Sequence, residues 1–242
     1  MDAPTCASVE ANVHKVHAQI AQACAACGRT ADSVQLLCVS KTKGEDLIKA
    51  AYDAGERHFG ESYISEAVDK IQALKAQGFN DIVWHFIGPI QSNKTKHIAA
   101  HFDVVESVER RKILERLSAQ RPDDLPPLKV MLQVNISDEE QKQGCEIEEL
   151  PELLTLASSL PKLELIGLMG VARIDATPEE LLEQFGTLKA LQERYRGEFP
   201  GLKVLSMGMT HDLPQAIAAG STEVRIGTAI FGERDYSKMH AQ

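Results

Sequence analysis

Lys41 stands just past an apolar run, Val34–Val39 (VQLLCV), within Ser40-Lys41-Thr42-Lys43. A lysine amine becomes a nucleophile when partial burial or a neighbouring cation lowers its pKa. Far along the chain, Leu205–Tyr236 (LSMGMTHDLPQAIAAGSTEVRIGTAIFGERDY) offers a second kind of chemistry. It reads as strand, glycine turn, short helix, strand, glycine turn. The turns Met207-Gly208-Met209-Thr210 and Gly227-Thr228 each place a glycine and a hydroxyl just beyond an apolar strand. Bare backbone N–H groups at such turns, with a helix N-terminus behind one of them, form an anion site suited to a phosphate. Arg225 lies two residues before Gly227, so strand alternation points both to the same face. A free amine, a phosphate cradle and a fixed cation suit covalent capture of a phosphorylated aldehyde.

Those residues meet only if the elements carrying them share one end of a sheet. An Ala-rich amphipathic stretch, roughly Cys6 to Cys27, predicts a first helix closed by Gly28. Alternation follows. Strands are expected at 34–39, 58–59, 82–87, 104–108, 130–136, 163–171, 204–206 and 224–226. Helices are expected between them at 45–54, 63–76, 94–101, 110–119, 147–159, 178–195 and 213–219. Uninterrupted β-α alternation implies a parallel sheet. Eight units within 242 residues favour closure into a single α/β domain, residues 1–242, a (β/α)8 TIM barrel with an extra N-terminal helix. In such a barrel the chemistry gathers at the C-terminal strand ends, often with a phosphate after strands seven and eight. Both glycine turns fall there.

Composition removes other classes. A net charge of −9 argues against nucleic-acid or anionic-membrane binding. No apolar run is long enough to span a bilayer, and the N-terminus lacks the basic-then-apolar pattern of a signal peptide. An odd number of cysteines, 5, in a chain with an ordinary core reads as reduced thiols in the cytoplasm.

Pyridoxal 5′-phosphate is a cofactor that fits an amine beside a phosphate cradle. Position alone favours a plain phosphate-binding or solvated role for Lys41, and Lys43 shares its facing further out in the loop. The blocks VSKTK (39–43), FGESY (59–63), WHFIGPIQSNK (84–94), QVNIS (133–137), GLM (167–169) and LSMGM…EVRIGTAIFGERDY resemble the pyridoxal-phosphate homeostasis protein family. The resemblance runs in order along nearly the whole chain, and the family is similar to the barrel domain of alanine racemase without its second domain. It implies that Lys41 holds the cofactor as a Schiff base and that Ser206, Thr210, Gly227 and Thr228 hold the phosphate. It further implies that Arg225 faces the pyridine nitrogen. An arginine there keeps the nitrogen unprotonated and the ring a weak electron sink. Ser62 stands where the family carries an asparagine beside the cofactor, and reaches less far. Thr210 replaces a serine but keeps the hydroxyl, Gly44 replaces a proline, and His211 replaces an aspartate.

The resemblance implies a carrier that buffers the cofactor, delivers it in transient contacts with apo-enzymes, and maintains vitamin B6 and amino-acid homeostasis, as a monomer. A low-activity amino-acid racemase is the alternative. Racemisation needs a proton donor or acceptor on each face of the substrate carbon. In the racemases the second is a tyrosine from another domain, and this chain ends soon after Tyr236. Tyr63 is the tyrosine expected to have reach at the top face.

Other chemistry-bearing residues have plainer readings. Cys24 and Cys27 have redox-motif spacing but sit on a helix end without a thioredoxin-like strand. His97 and His101 lack the glutamate of a zincin motif and read as a surface pair, as do His14 and His17. His85, between Trp84 and Phe86, reads as a hydrogen-bonded core histidine. The acidic runs 138–140 and 146–149 read as solvated faces.

Overall fold

The computed structural model describes residues 5–137 and 143–233. Eight strands close a barrel: β1 (Gln35–Val39), β2 (His58–Glu61), β3 (Val83–Phe86), β4 (Val104–Val108), β5 (Leu128–Gln133), β6 (Leu163–Met169), β7 (Val204–Ser206) and β8 (Glu223–Ile226). Every pairing is parallel, and β8 returns to β1 with Leu37 opposite Arg225. Helix α1 (Cys6–Ala26) precedes the ring. Between successive strands run α2 (Glu45–Asp53), α3 (Ile64–Ala76), α4 (Thr95–His101), α5 (Arg111–Gln120), α6 (Leu150–Ser159), α7 (Pro178–Tyr195) and α8 (Leu213–Ala218). The expected (β/α)8 barrel with its extra helix is therefore the observed fold.

Helices cover the outer face of the strands, so the strands must be apolar on that side as well as packed within. Strand β4, VVESV, is buried at every position. Helix α1 buries Val9, Val13, Val16, Ile20 and Cys24, spaced three and four apart along one stripe. Burying each aliphatic side chain is worth roughly 1.5–3 kcal/mol, so α1 is docked firmly. Thr5 and Ser8 close its N-terminus as a reciprocal capping box. The stripe packs on α2 and α8, the helices beside β1 and β8, and so braces the seam that joins Lys41 to Arg225.

Boundaries differ from the sequence expectation where polar residues are concealed inside the barrel. Strand β2 continues through Gly60 and Glu61, because the Glu61 carboxylate points to a buried partner rather than to water. Strand β5 starts earlier and stops at Gln133, and Val134 bridges to Cys145 instead. Strand β6 ends at Met169. After β8 comes a helix, α9 (Thr228–Phe231), where only a turn was expected. Four residues are too few to show a helical period.

The incidental motifs take their plainer roles. Cys24 and Cys27 are free, the first buried and the second exposed. The His97 and His101 rings stack on the surface of α4. The acidic run 138–140 and Tyr236 lie outside the described residues.

Candidate functional site

Lys41 leaves the top of β1 on a loop held from both sides. Beneath it, the Ser40 hydroxyl donates to Glu61 Oε1 at 2.7 Å. The Lys70 ammonium, from α3, donates to the Ser40 carbonyl at 2.9 Å and to Glu61 Oε1 at 3.0 Å. Beyond it, the Thr42 amide donates to Glu66 Oε1 at 2.7 Å, and Glu66 also pairs with Lys70. Thr42 has φ of 65°, the left-handed region that a β-branched residue enters at a cost of about 1–3 kcal/mol. The Glu66 carboxylate offsets that cost and fixes the direction in which the Lys41 side chain leaves. Burial raises the Glu61 pKa, and the Lys70 charge and the Ser40 hydrogen bond oppose it without cancelling it. Lys43 borders the same cavity as Lys41, and its ammonium donates to the carbonyls of Gly232 and Glu233.

Lys41 opens into a cavity at the C-terminal mouth of the barrel that Thr210, Arg225, Gly227 and Thr228 also line. The two glycine turns thus meet the lysine, as the strand order required. Gly208 has φ of 101°, and a Cβ there would lie 2.5 Å from the Ala216 methyl, so the first turn admits only glycine. One amide of that turn is already taken: Met209 N–H donates to Asp212 Oδ1 at 2.5 Å. At the second turn the Gly227 carbonyl accepts from the amides of Ile230 and Phe231, leaving those of Thr228 and Ala229 ahead of the helix's own acceptors. The hydroxyls of Thr210 and Thr228 sit on exposed residues at the rim. This donor set, with a cation at its floor, fits a phosphate and the ring of pyridoxal 5′-phosphate.

Arg225 forms the floor and is 5% exposed. Its Nη1 donates to Ser206 Oγ at 2.8 Å and its Nη2 to the Gly170 carbonyl at 3.0 Å. Ser206 therefore does not line the cavity. It lies under Arg225, fully buried, and its hydroxyl donates to Glu106 Oε2 at 2.6 Å. Glu106 Oε1 meets His85 Nδ1 at 2.7 Å, and His85 Nε2 meets His58 Nδ1 at 2.9 Å. Glu223 stands beside this chain, one carboxylate oxygen 4.0 Å from His85 Nδ1.

Each charge in this chain is set by its neighbours. Burial works against ionised Glu106, but the His85 hydrogen bond and the His85 and Arg225 charges prevail and hold it below the ordinary carboxylate range. Burial likewise lowers the His85 pKa, and the bond to Glu106 with the charges of Glu223 and Glu106 outweighs that and raises it. Burial and the Glu106 charge push Glu223 up to about 8. Burial and the His85 charge lower His58 to about 4.

Ser62 is not brought to the Lys41 cavity. With Tyr63 it borders a neighbouring cleft beside Pro89, Gln91 and Arg110. Its backbone packs so closely on Gly88 that a Cβ there would lie 2.5 Å from the Ser62 carbonyl oxygen. His85 takes the core role expected of it. The sequence reading gave no role to Glu61, Glu66, Lys70, Glu106 or Glu223. Glu106 carried a signal: it is the charged residue of the valine-rich strand segment VVESV, and a buried charge demands a partner.

The alanine racemase N-terminal domain model matches residues 12–235. The pyridoxal phosphate homeostasis protein of Escherichia coli (strain K12) is 47% identical over 230 residues, 94% of this chain and 97% of that protein. The crystal structure of an unknown protein from Bifidobacterium adolescentis superposes with a TM-score of 0.87 at 32% identity, covering 96% of this chain and 97% of that one. PipY of Synechococcus elongatus, solved with pyridoxal phosphate bound, gives 0.74 at 34% identity, covering 88% of this chain and 100% of PipY.

Proposed function

Since the chain belongs to the pyridoxal phosphate homeostasis protein family, within the alanine racemase N-terminal-domain barrels, we propose that it binds pyridoxal 5′-phosphate through Lys41 and serves vitamin B6 homeostasis as a carrier. The observation that carries this reading is that Lys41, Arg225 and both glycine-hydroxyl turns line one cavity. When bound, the cofactor supplies an aldehyde that links reversibly to amines. Lys41 provides the amine. Thr210, Thr228 and the amides at the start of α9 receive the phosphate. Arg225 would face the pyridine nitrogen with a permanent cation, which would keep that nitrogen unprotonated. Ser206 acts one step removed, beneath Arg225, and Ser62 acts on the wall of the adjoining cleft. Reversible attachment to one held lysine suits storage and hand-over to apo-enzymes, keeping the aldehyde off other amines.

A carrier is favoured over a racemase because Tyr63, the tyrosine expected to have reach, borders the neighbouring cleft rather than the cavity. All 5 cysteines are free thiols, which suits the cytoplasm. No helix among the described residues is long and apolar enough to cross a membrane. We take the working form to be a monomer.

The test is the visible spectrum of purified protein before and after borohydride, with peptide mass mapping. A band that bleaches, with a pyridoxyl adduct on Lys41 that Lys41→Ala abolishes, is the expected result. Protein that stays colourless with pyridoxal phosphate, or adducts scattered over surface lysines, sinks the Lys41 site. Exchange of an amino acid's α-hydrogen with solvent deuterium, lost in Lys41→Ala, would replace the carrier by the racemase.

A further inference from the structure

We propose that Glu106 is a positioning residue for the cofactor ring: through Ser206 it fixes the aim of Arg225, and its carboxylate offsets the guanidinium charge that would face the ring nitrogen. This rests on the reading above, in which Arg225 would face the pyridine nitrogen.

The geometry makes the case in three steps. A guanidinium is a planar fork, and two anchors on one edge set its plane. Those anchors are Ser206 Oγ and the Gly170 carbonyl. A carbonyl always accepts, but a hydroxyl accepts from Arg225 only while its own proton points elsewhere. That proton is committed to Glu106 Oε2 at 2.6 Å. Glu106 therefore decides that Ser206 faces Arg225 as an acceptor. Glu106 is in turn aimed by His85, across 2.7 Å, and His85 is held at its other nitrogen by His58. His58 opens β2 and is half-buried, so the hydrogen-bonded line crosses the barrel from its lower mouth to the cavity floor.

The groups facing this line are few. Glu106 sees His85 from β3, Ser206 from β7, and Glu223 and Arg225 from β8. Arg225 sees Asp212 at the start of α8 as well as Glu106. His85 also sees Asp103, and His58 sees Lys129 from β5. His85, Glu106 and Glu223 place ligand atoms within 4.8 Å of one another, the grouping of a metal site. The His85–Glu106 contact is already of hydrogen-bond length and Arg225 adds a cation beside it, so Glu106 is partnered within the protein.

Two variants separate aim from charge. Glu106→Gln keeps an acceptor for the Ser206 proton and removes the anion. The uncompensated Arg225 charge then disfavours any proton on the bound cofactor's linkage. The pH midpoint of the visible band should fall by about one unit, and affinity for pyridoxal phosphate should weaken about tenfold. Ser206→Ala keeps the anion and removes the bridge. Its affinity should weaken several-fold with the midpoint in place. Both variants should keep the reduced adduct on Lys41, and the cofactor-free Glu106→Gln protein should melt below the parent because Arg225 loses its anion. Wild-type affinity and pH midpoint in folded Glu106→Gln overturn the proposal. If Glu106→Gln does not fold, Ser206→Ala decides alone: wild-type affinity overturns it. Absence of the Lys41 adduct in the unmodified chain would instead overturn the proposed function.

Discussion

Lys70 Nζ lies 3.0 Å from Glu61 Oε1, and both side chains are withdrawn from water under the loop that carries Lys41. The ion pair belongs to no catalytic step. It ties α3 to the end of β2 and, through Ser40, to the end of β1.

Breaking that pair from one side should be costly. Lys70→Met leaves the Glu61 carboxylate buried without its cation, and removing one partner of a buried pair costs about 3–5 kcal/mol. Urea unfolding should show that loss, and it should deepen as pH rises, because deprotonating Glu61 becomes the unfavourable event. The double variant Lys70→Met with Glu61→Gln should recover much of the stability. Equal stability of Lys70→Met and the parent at pH 8 would mean that the pair contributes nothing.

Glu223 gives stability a pH dependence of definite sign. Its folded pKa, about 8, stands above the ordinary 4.5. Between those values the folded protein holds a proton that the unfolded chain has released. Stability from this group is therefore present at low pH and lost as pH rises through the window. Glu223→Gln, which cannot ionise, should flatten the decline in Tm between pH 5 and pH 8. A variant whose Tm falls as steeply as the parent's would assign the decline to other groups.

Gly208→Ala tests the first phosphate turn. The new methyl meets the Ala216 methyl at 2.5 Å in a backbone conformation already at φ of 101°. A loss of at least about 2 kcal/mol is expected from strain and overlap. Calorimetry measures it, and pyridoxal phosphate affinity should fall with it. An unchanged Tm would show that the turn relaxes freely.

Much of the site is legible in the sequence, and the reason is local. Lys41, Gly208, Thr210, Arg225, Gly227 and Thr228 are each placed by strand alternation or by a turn within a few residues of themselves. Ser206 was legible as a residue but not as a partner. Whether its hydroxyl faces a ligand or Glu106 depends on β4 and β7 meeting across the barrel, which no short window encodes. The same holds for Glu61 with Lys70 and for His85 with Glu106. Ser62 stands at the expected strand end, yet the close packing of its backbone on Gly88 goes with a place on another cleft, and that contact is between strands.

The register at the seam sets Leu37 of the first strand opposite Arg225 of the last. Lys41 and Arg225 are thus contributed by the two strands that a growing or refolding chain brings together latest, since distant segments meet only after the long loop between them has been closed. A chain with its ring still open owns the lysine without its cradle. It would react with the aldehyde no better than any surface amine. Cofactor capture is consequently a property of the finished barrel alone, and the colour of the bound cofactor would mark the moment at which the ring shuts.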